Sequence, residues 1–197
     1  QAIYLQNNNT IFCITKSFVV DDLNNVLSDQ TLRYNLGINE NIQFNDVFTF
    51  KVHLPVTGMY SLSFIAEELN GFDSSLSAED YDINLRILEK TNIGLIDQKL
   101  YFYRSPAALG QDRIRMPMRI DVSESHLLTI LKYKKHPDYN IALLEWNFRR
   151  FIYFSSYINT KRYAFYGMLF SWRKLPSVFY WKALFRLIFF GKMDKVD

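Results

Sequence analysis

The chain has 197 residues, of which 49% are hydrophobic and 17% aromatic, and its formal net charge is +3. That supplies a core and excludes global disorder, and the length fits one domain or one domain with an appendage. The charge is laid out unevenly: residues 146–193 hold nine Lys or Arg, seventeen aromatic residues and no Asp or Glu, whereas residues 1–145 carry five more acidic than basic residues.

Residues 1–10 are polar and uncharged, so they do not read as a retained signal peptide, and a start at Gln1 is compatible with a cleaved leader or a removed anchor. Residues 11–20 predict a strand. Cys13 lies within it between Phe12 and Ile14 and is expected to be a buried structural thiol. As the only cysteine it excludes an intramolecular disulfide and a Cys-rich zinc site. Residues 22–27 fit a short helix, and the Asn clusters fit turns. Phe48, Phe50, Val52 and Leu54 alternate with Thr49, Lys51 and His53, the period of a half-buried strand. Pro55-Val56-Thr57-Gly58 then supplies turn chemistry, and Met59, Ser61 and Ser63 alternate with Tyr60, Leu62 and Phe64, so a hairpin is expected.

Asp73, Glu79, Asp80 and Asp82 stand among serines and predict a solvated acidic loop without the EF-hand spacing. Residues 81–88 and 113–122 alternate again, with Pro117 placing the second of these at a sheet edge. Tyr101, Phe102 and Tyr103 are consecutive, and an alternating strand cannot bury all three. Residues 125–133 and 139–148 predict two further strands around the turn Lys134-Lys135-His136-Pro137-Asp138. Together these features predict a mainly β fold, an antiparallel β-sandwich of jelly-roll type over residues 1–148.

Beyond Arg150 the period lengthens. Lys182 and Arg186 fall four apart on one helical face, and Trp181, Leu184, Phe185, Leu187 and Ile188 fill most of the rest. Pro176 suits the start of this helix and Gly191 its end. Residues 163–174 carry mixed signals. Residues 149–197 are therefore expected to form an aromatic, basic segment packed on the sandwich, on a membrane or on a partner. Its charges recur too often for a spanning helix, although an interfacial one is compatible.

No catalytic set accompanies these elements. There is no G-x-S-x-G, Walker or G-x-G-x-x-G motif, and His53, His126 and His136 lack metal-ligand spacing. No catalytic residue, metal or cofactor is assigned. The acidic body and the lack of an RNP-type motif argue against nucleic acid, even though stacking rings and cations are what a single strand needs.

Residues 48–64 resemble a strand pair that recurs in jelly-roll and galactose-binding-like sandwiches, where a G-x-Y turn precedes a strand opening on a core aromatic. That resemblance implies a sandwich and, for many such modules, a carbohydrate ligand. In general style the chain is also similar to exported bacterial immunity proteins. This implies a non-enzymatic protein, periplasmic or membrane-associated, that occludes a toxin or effector. Asp73, Glu79, Asp80, Asp82, Tyr101 and Tyr103 would then face the partner. The alternatives are a carbohydrate-binding module using Tyr101, Phe102 and Tyr103, and a peripheral membrane protein using Trp181, Lys182, Phe185, Arg186 and Phe189.

Overall fold

The computed structural model describes residues 1–104 and 118–191 and divides the chain into two units, Gln1–Leu109 and Gly110–Asp197. Helices hold 52% of the residues and strands 13%, so the expected sandwich is not the fold that forms.

The first unit is organised on β1 (Phe12–Val20), which buries Phe12, Cys13, Ile14, Val19 and Val20 and leaves Phe18 half-buried. Helix α1 (Ala2–Asn8) precedes it, and α2 (Ser28–Tyr34) and α3 (Phe44–Phe48) follow. Next come β2 (Met59–Tyr60), a single π-helical turn at Phe64–Glu68, α4 (Glu79–Leu88) and β3 (Gly94–Arg104). Among the described residues the sheet order is β2-β1-β3, with β1 antiparallel to β2 and parallel to β3.

β2 pairs only with Phe12 and Cys13, which leaves most of that edge of β1 without a neighbouring strand. Side chains take its place. Thr57 Oγ1 accepts from the Thr15 N–H at 3.1 Å and donates to the Thr15 carbonyl at 2.7 Å. The Asn35 amide accepts from the Ser17 N–H at 2.9 Å and donates to the Ser17 carbonyl at 2.8 Å. Thr31 Oγ1 accepts from the Val19 N–H at 2.9 Å. Three alternate residues of β1, Thr15, Ser17 and Val19, are thus met by a Thr or Asn from elsewhere, with the Leu27 N–H also donating to the Val19 carbonyl at 2.8 Å, as buried backbone requires.

Several predicted strands are helices. Residues 81–88 lie in α4, where Tyr81, Ile83, Leu85 and Ile87 are all buried, so a helix buried around most of its circumference mimics alternation. The predicted hairpin is absent: Phe48 ends α3, Phe50 takes a left-handed φ of 56°, and β2 pairs with β1 instead. Thr49, expected to face solvent, is buried, with its hydroxyl donating to the Asn45 carbonyl at 2.6 Å. The short helix expected at residues 22–27 forms later, as α2. The strand predicted over residues 113–122 lies partly outside the described residues, and its last three residues open a helix.

The second unit is helical: α5 (Ile120–Lys132), α6 (Tyr139–Phe154), α7 (Lys161–Phe170) and α8 (Val178–Phe189). The predicted strands 125–133 and 139–148 are segments of α5 and α6. Ala142, Trp146, Arg150 and Phe154 are buried at a spacing of four, a helical stripe that continues past residue 148. Phe148, Phe151, Phe154, Ala164, Tyr180 and Ala183 form the core. Helices α6 and α7 meet at Gly167, where an added Cβ would lie 2.7 Å from the Asn147 carbonyl oxygen and 2.8 Å from the Phe151 nitrogen. Arg150 is buried between the rings of Trp146 and Tyr163, at 4.5 and 4.6 Å from their centroids.

Candidate functional site

Parallel β1 and β3 run side by side to the pairs Phe18–Phe102, Val19–Tyr103 and Val20–Arg104, and polar and aromatic groups gather at this carboxyl end. Tyr34, the last residue of α2, stacks on Tyr103 at 4.7 Å between centroids and meets the His53 ring edge-on at 6.5 Å. The Tyr34 hydroxyl is pushed up to about 12, first by burial and then by Tyr103, with Tyr101 and Asp80 adding to the shift and a backbone hydrogen bond at Val56 opposing it. Tyr103 is also raised, by burial and then by Tyr101. Tyr34 therefore lies within electrostatic reach of Tyr103, Tyr101 and, most weakly, Asp80. Glu79 and Asp80 open α4, where Asp80 Oδ1 accepts from the Tyr81 N–H at 2.8 Å.

Arg104 closes this end. Its guanidinium donates to the Asp21 carbonyl and to Asn24 Oδ1, each at 2.7 Å. Asp21 in turn accepts from the N–H groups of Leu23 and Asn25 at 2.9 and 2.8 Å and from the Asn25 side chain at 3.0 Å. These bonds, the Asn25 side chain's first, hold the Asp21 carboxyl below its usual range. The loop after β1 is thereby fixed against the end of β3.

The acidic positions expected at a partner surface separate. Asp82 is 0% exposed and accepts from Arg86 Nε at 2.8 Å, while the same guanidinium donates to the carbonyls of Leu69 and Gly71 at 2.6 and 2.9 Å. Its place is structural. Asp73 is half-buried and accepts from the Ser75 N–H and hydroxyl at 3.1 and 2.6 Å. Glu79 is exposed and Asp80 half-buried. Tyr101 is exposed and Tyr103 half-buried, as three consecutive aromatic residues on a strand require. Sequence reasoning missed Tyr34 and His53, because Tyr34 ends α2 and His53 lies in the loop before β2, and only the fold brings His53 to Tyr34 and Tyr34 to Tyr103.

In the second unit, α8 buries Tyr180 and Ala183 and leaves Val178, Trp181, Phe185 and Phe189 exposed with Lys182 and Arg186. Val178, Trp181, Lys182, Phe185, Arg186 and Phe190 line a shallow, largely apolar groove. The Trp181 indole N–H donates to the Leu175 carbonyl at 2.8 Å. No described helix is long and apolar enough to cross a membrane. Among the described residues no cluster of three His, Cys, Asp or Glu is placed to hold a metal ion.

No protein-family model, curated protein or solved structure matches the chain.

Proposed function

We propose that the first unit binds a carbohydrate-like, polyhydroxylated ligand at the tyrosine and carboxylate cluster beyond β1 and β3. The observation that carries this reading is the Tyr34–Tyr103 stack, with exposed Tyr101 beside it and the Asp80 charge in reach. A sugar ring offers C–H faces and a rim of hydroxyls. Aromatic faces cover the first, and carboxylates and phenol oxygens accept from the second. The position supports it too, since open sheets take ligands outside the carboxyl ends of their parallel strands.

Glycan-array screening of the full chain, followed by calorimetry on the best ligand, tests this. Tyr101→Ala and Asp80→Ala are each expected to weaken binding about tenfold or more, the scale of one lost contact in a polar site. Unchanged affinity in both variants, with melting temperatures also unchanged, would refute the site.

A second reading is favoured by the Glu79–Asp80 pair. A carboxylate against a ligand hydroxyl can take its proton as the oxygen attacks the anomeric carbon of an activated sugar, whose leaving group departs with the bonding electrons. The protein would then transfer a glycosyl group as well as bind one. Asp80→Asn keeps an acceptor oxygen but loses the base, so retained binding with lost transfer would support it. Full transfer activity in Asp80→Asn and in the matching Glu79→Gln variant would remove it.

A further inference from the structure

We infer that the outward face of α8 docks on an anionic lipid surface, a role separate from the ligand cluster of the first unit. The helix packs on its own unit through Tyr180 and Ala183, with Leu184 and Leu187 half-buried beside them. Those four positions trace one helical stripe. The opposite side carries Val178, Trp181, Phe185 and Phe189, and Phe189 is 69% exposed. Large aromatic residues concentrated this way exceed the scattered apolar exposure of an ordinary surface.

Three observations select lipid as the occupant. Charge is the first: among the described residues of the second unit, 118–191, eight more are basic than acidic, and residues 146–193 contain no acid. An anionic surface matches that field. The second is placement. Lys182 and Arg186 stand on the same side as the exposed rings, so their stems can lie along the apolar boundary while their heads reach lipid phosphates. The third is Trp181. Its N–H is already bonded to the Leu175 carbonyl, so the ring can enter the boundary without burying an unpaired donor. At 12 residues α8 is about 18 Å long, which suits lying in the interface and not spanning it.

The test floats the full chain with vesicles of phosphatidylcholine alone and of phosphatidylcholine with equal phosphatidylglycerol, at low and high salt. Binding is expected only to the anionic vesicles, with a blue shift of tryptophan emission and loss at high salt. Each cation near such a surface is worth about fivefold in partition, so Lys182→Gln with Arg186→Gln should reduce binding by about 25-fold. Trp181→Ala with Phe185→Ala should abolish the blue shift. The charge substitutions alter exposed side chains only, and the helical circular dichroism of each variant is to be measured beside the parent's to check that the helices are kept. Absence of flotation at low salt would overturn the proposal. So would equal flotation of the charge variants, or sedimentation showing that this face holds a second copy in the absence of vesicles.

Discussion

Removing the Arg86 guanidinium leaves the Asp82 carboxylate buried and takes donors from the Leu69 and Gly71 carbonyls. Breaking a buried pair from one side costs about 3–5 kcal/mol, so Arg86→Ala is expected to lower the urea midpoint sharply. The double replacement Asp82→Leu with Arg86→Met should recover part of that loss, because it leaves no uncompensated charge. Tyr34 makes a different prediction. Its native hydroxyl titrates at about 12 against an ordinary 10.0, so the unfolded chain loses the proton first. Between those values the native state holds more protons. The contribution of Tyr34 is therefore fully present below pH 10 and is lost as pH rises toward 12. Urea midpoints taken from pH 8 upward should fall across that window, and Tyr34→Phe should flatten the fall. A Tyr34→Phe profile that superimposes on the parent would contradict the burial argument.

At the scale of elements, the α6–α7 contact leaves no room for a Cβ at Gly167, and the obstructing atoms are backbone. Gly167→Ala is expected to cost about 1–3 kcal/mol by overpacking, read as a drop in melting temperature. Along β1 the Thr57, Asn35 and Thr31 side chains accept from the backbone N–H groups of Thr15, Ser17 and Val19. Asn35→Leu orphans the Ser17 N–H and should cost about 1–3 kcal/mol, with faster amide exchange at Ser17 as its local mark. The same elements show what the sequence made legible. β1 and α8 lie close to where periodicity placed them, and their starts and stops follow the apolar run of β1 and the Ser177 cap of α8, whose hydroxyl accepts from the Phe179 N–H at 3.3 Å. Helix α4 reads as a strand from its sequence because five of its residues are buried, so no polar face reveals a period near four. Its first-turn Glu79, Asp80 and Asp82, and Arg86 in its last turn, were the available helix signals, and they outweigh alternation. In α6 a window of ten residues caught only part of a 16-residue helix. Of the tyrosine cluster, Tyr101 and Tyr103 could be read from three consecutive aromatics. Tyr34 could not, since its partner on β3 is distant in sequence.

For the whole molecule, charge follows the division into units. Among described residues the first unit has six more acidic than basic residues and the second eight more basic than acidic. Trp146, Trp172 and Trp181 all belong to the second unit, so tryptophan emission reports on that unit. Gly167→Ala should thus shift the unfolding midpoint read by fluorescence, whereas Arg86→Ala should show mainly in far-ultraviolet circular dichroism. A large fluorescence shift from Arg86→Ala would mean that the two cores unfold together. The side-chain ladder on β1 also has a consequence for the order of assembly. Arg104 is 83 positions from the Asp21 carbonyl it binds, so β3 leaves the ribosome long after β1. Thr31, Asn35 and Thr57 emerge much earlier. As the chain is made, they can occupy one edge of β1 while the other still waits for its strand. A half-built sheet then exposes a single open edge instead of two, which narrows the interval in which a neighbouring nascent chain could pair with it.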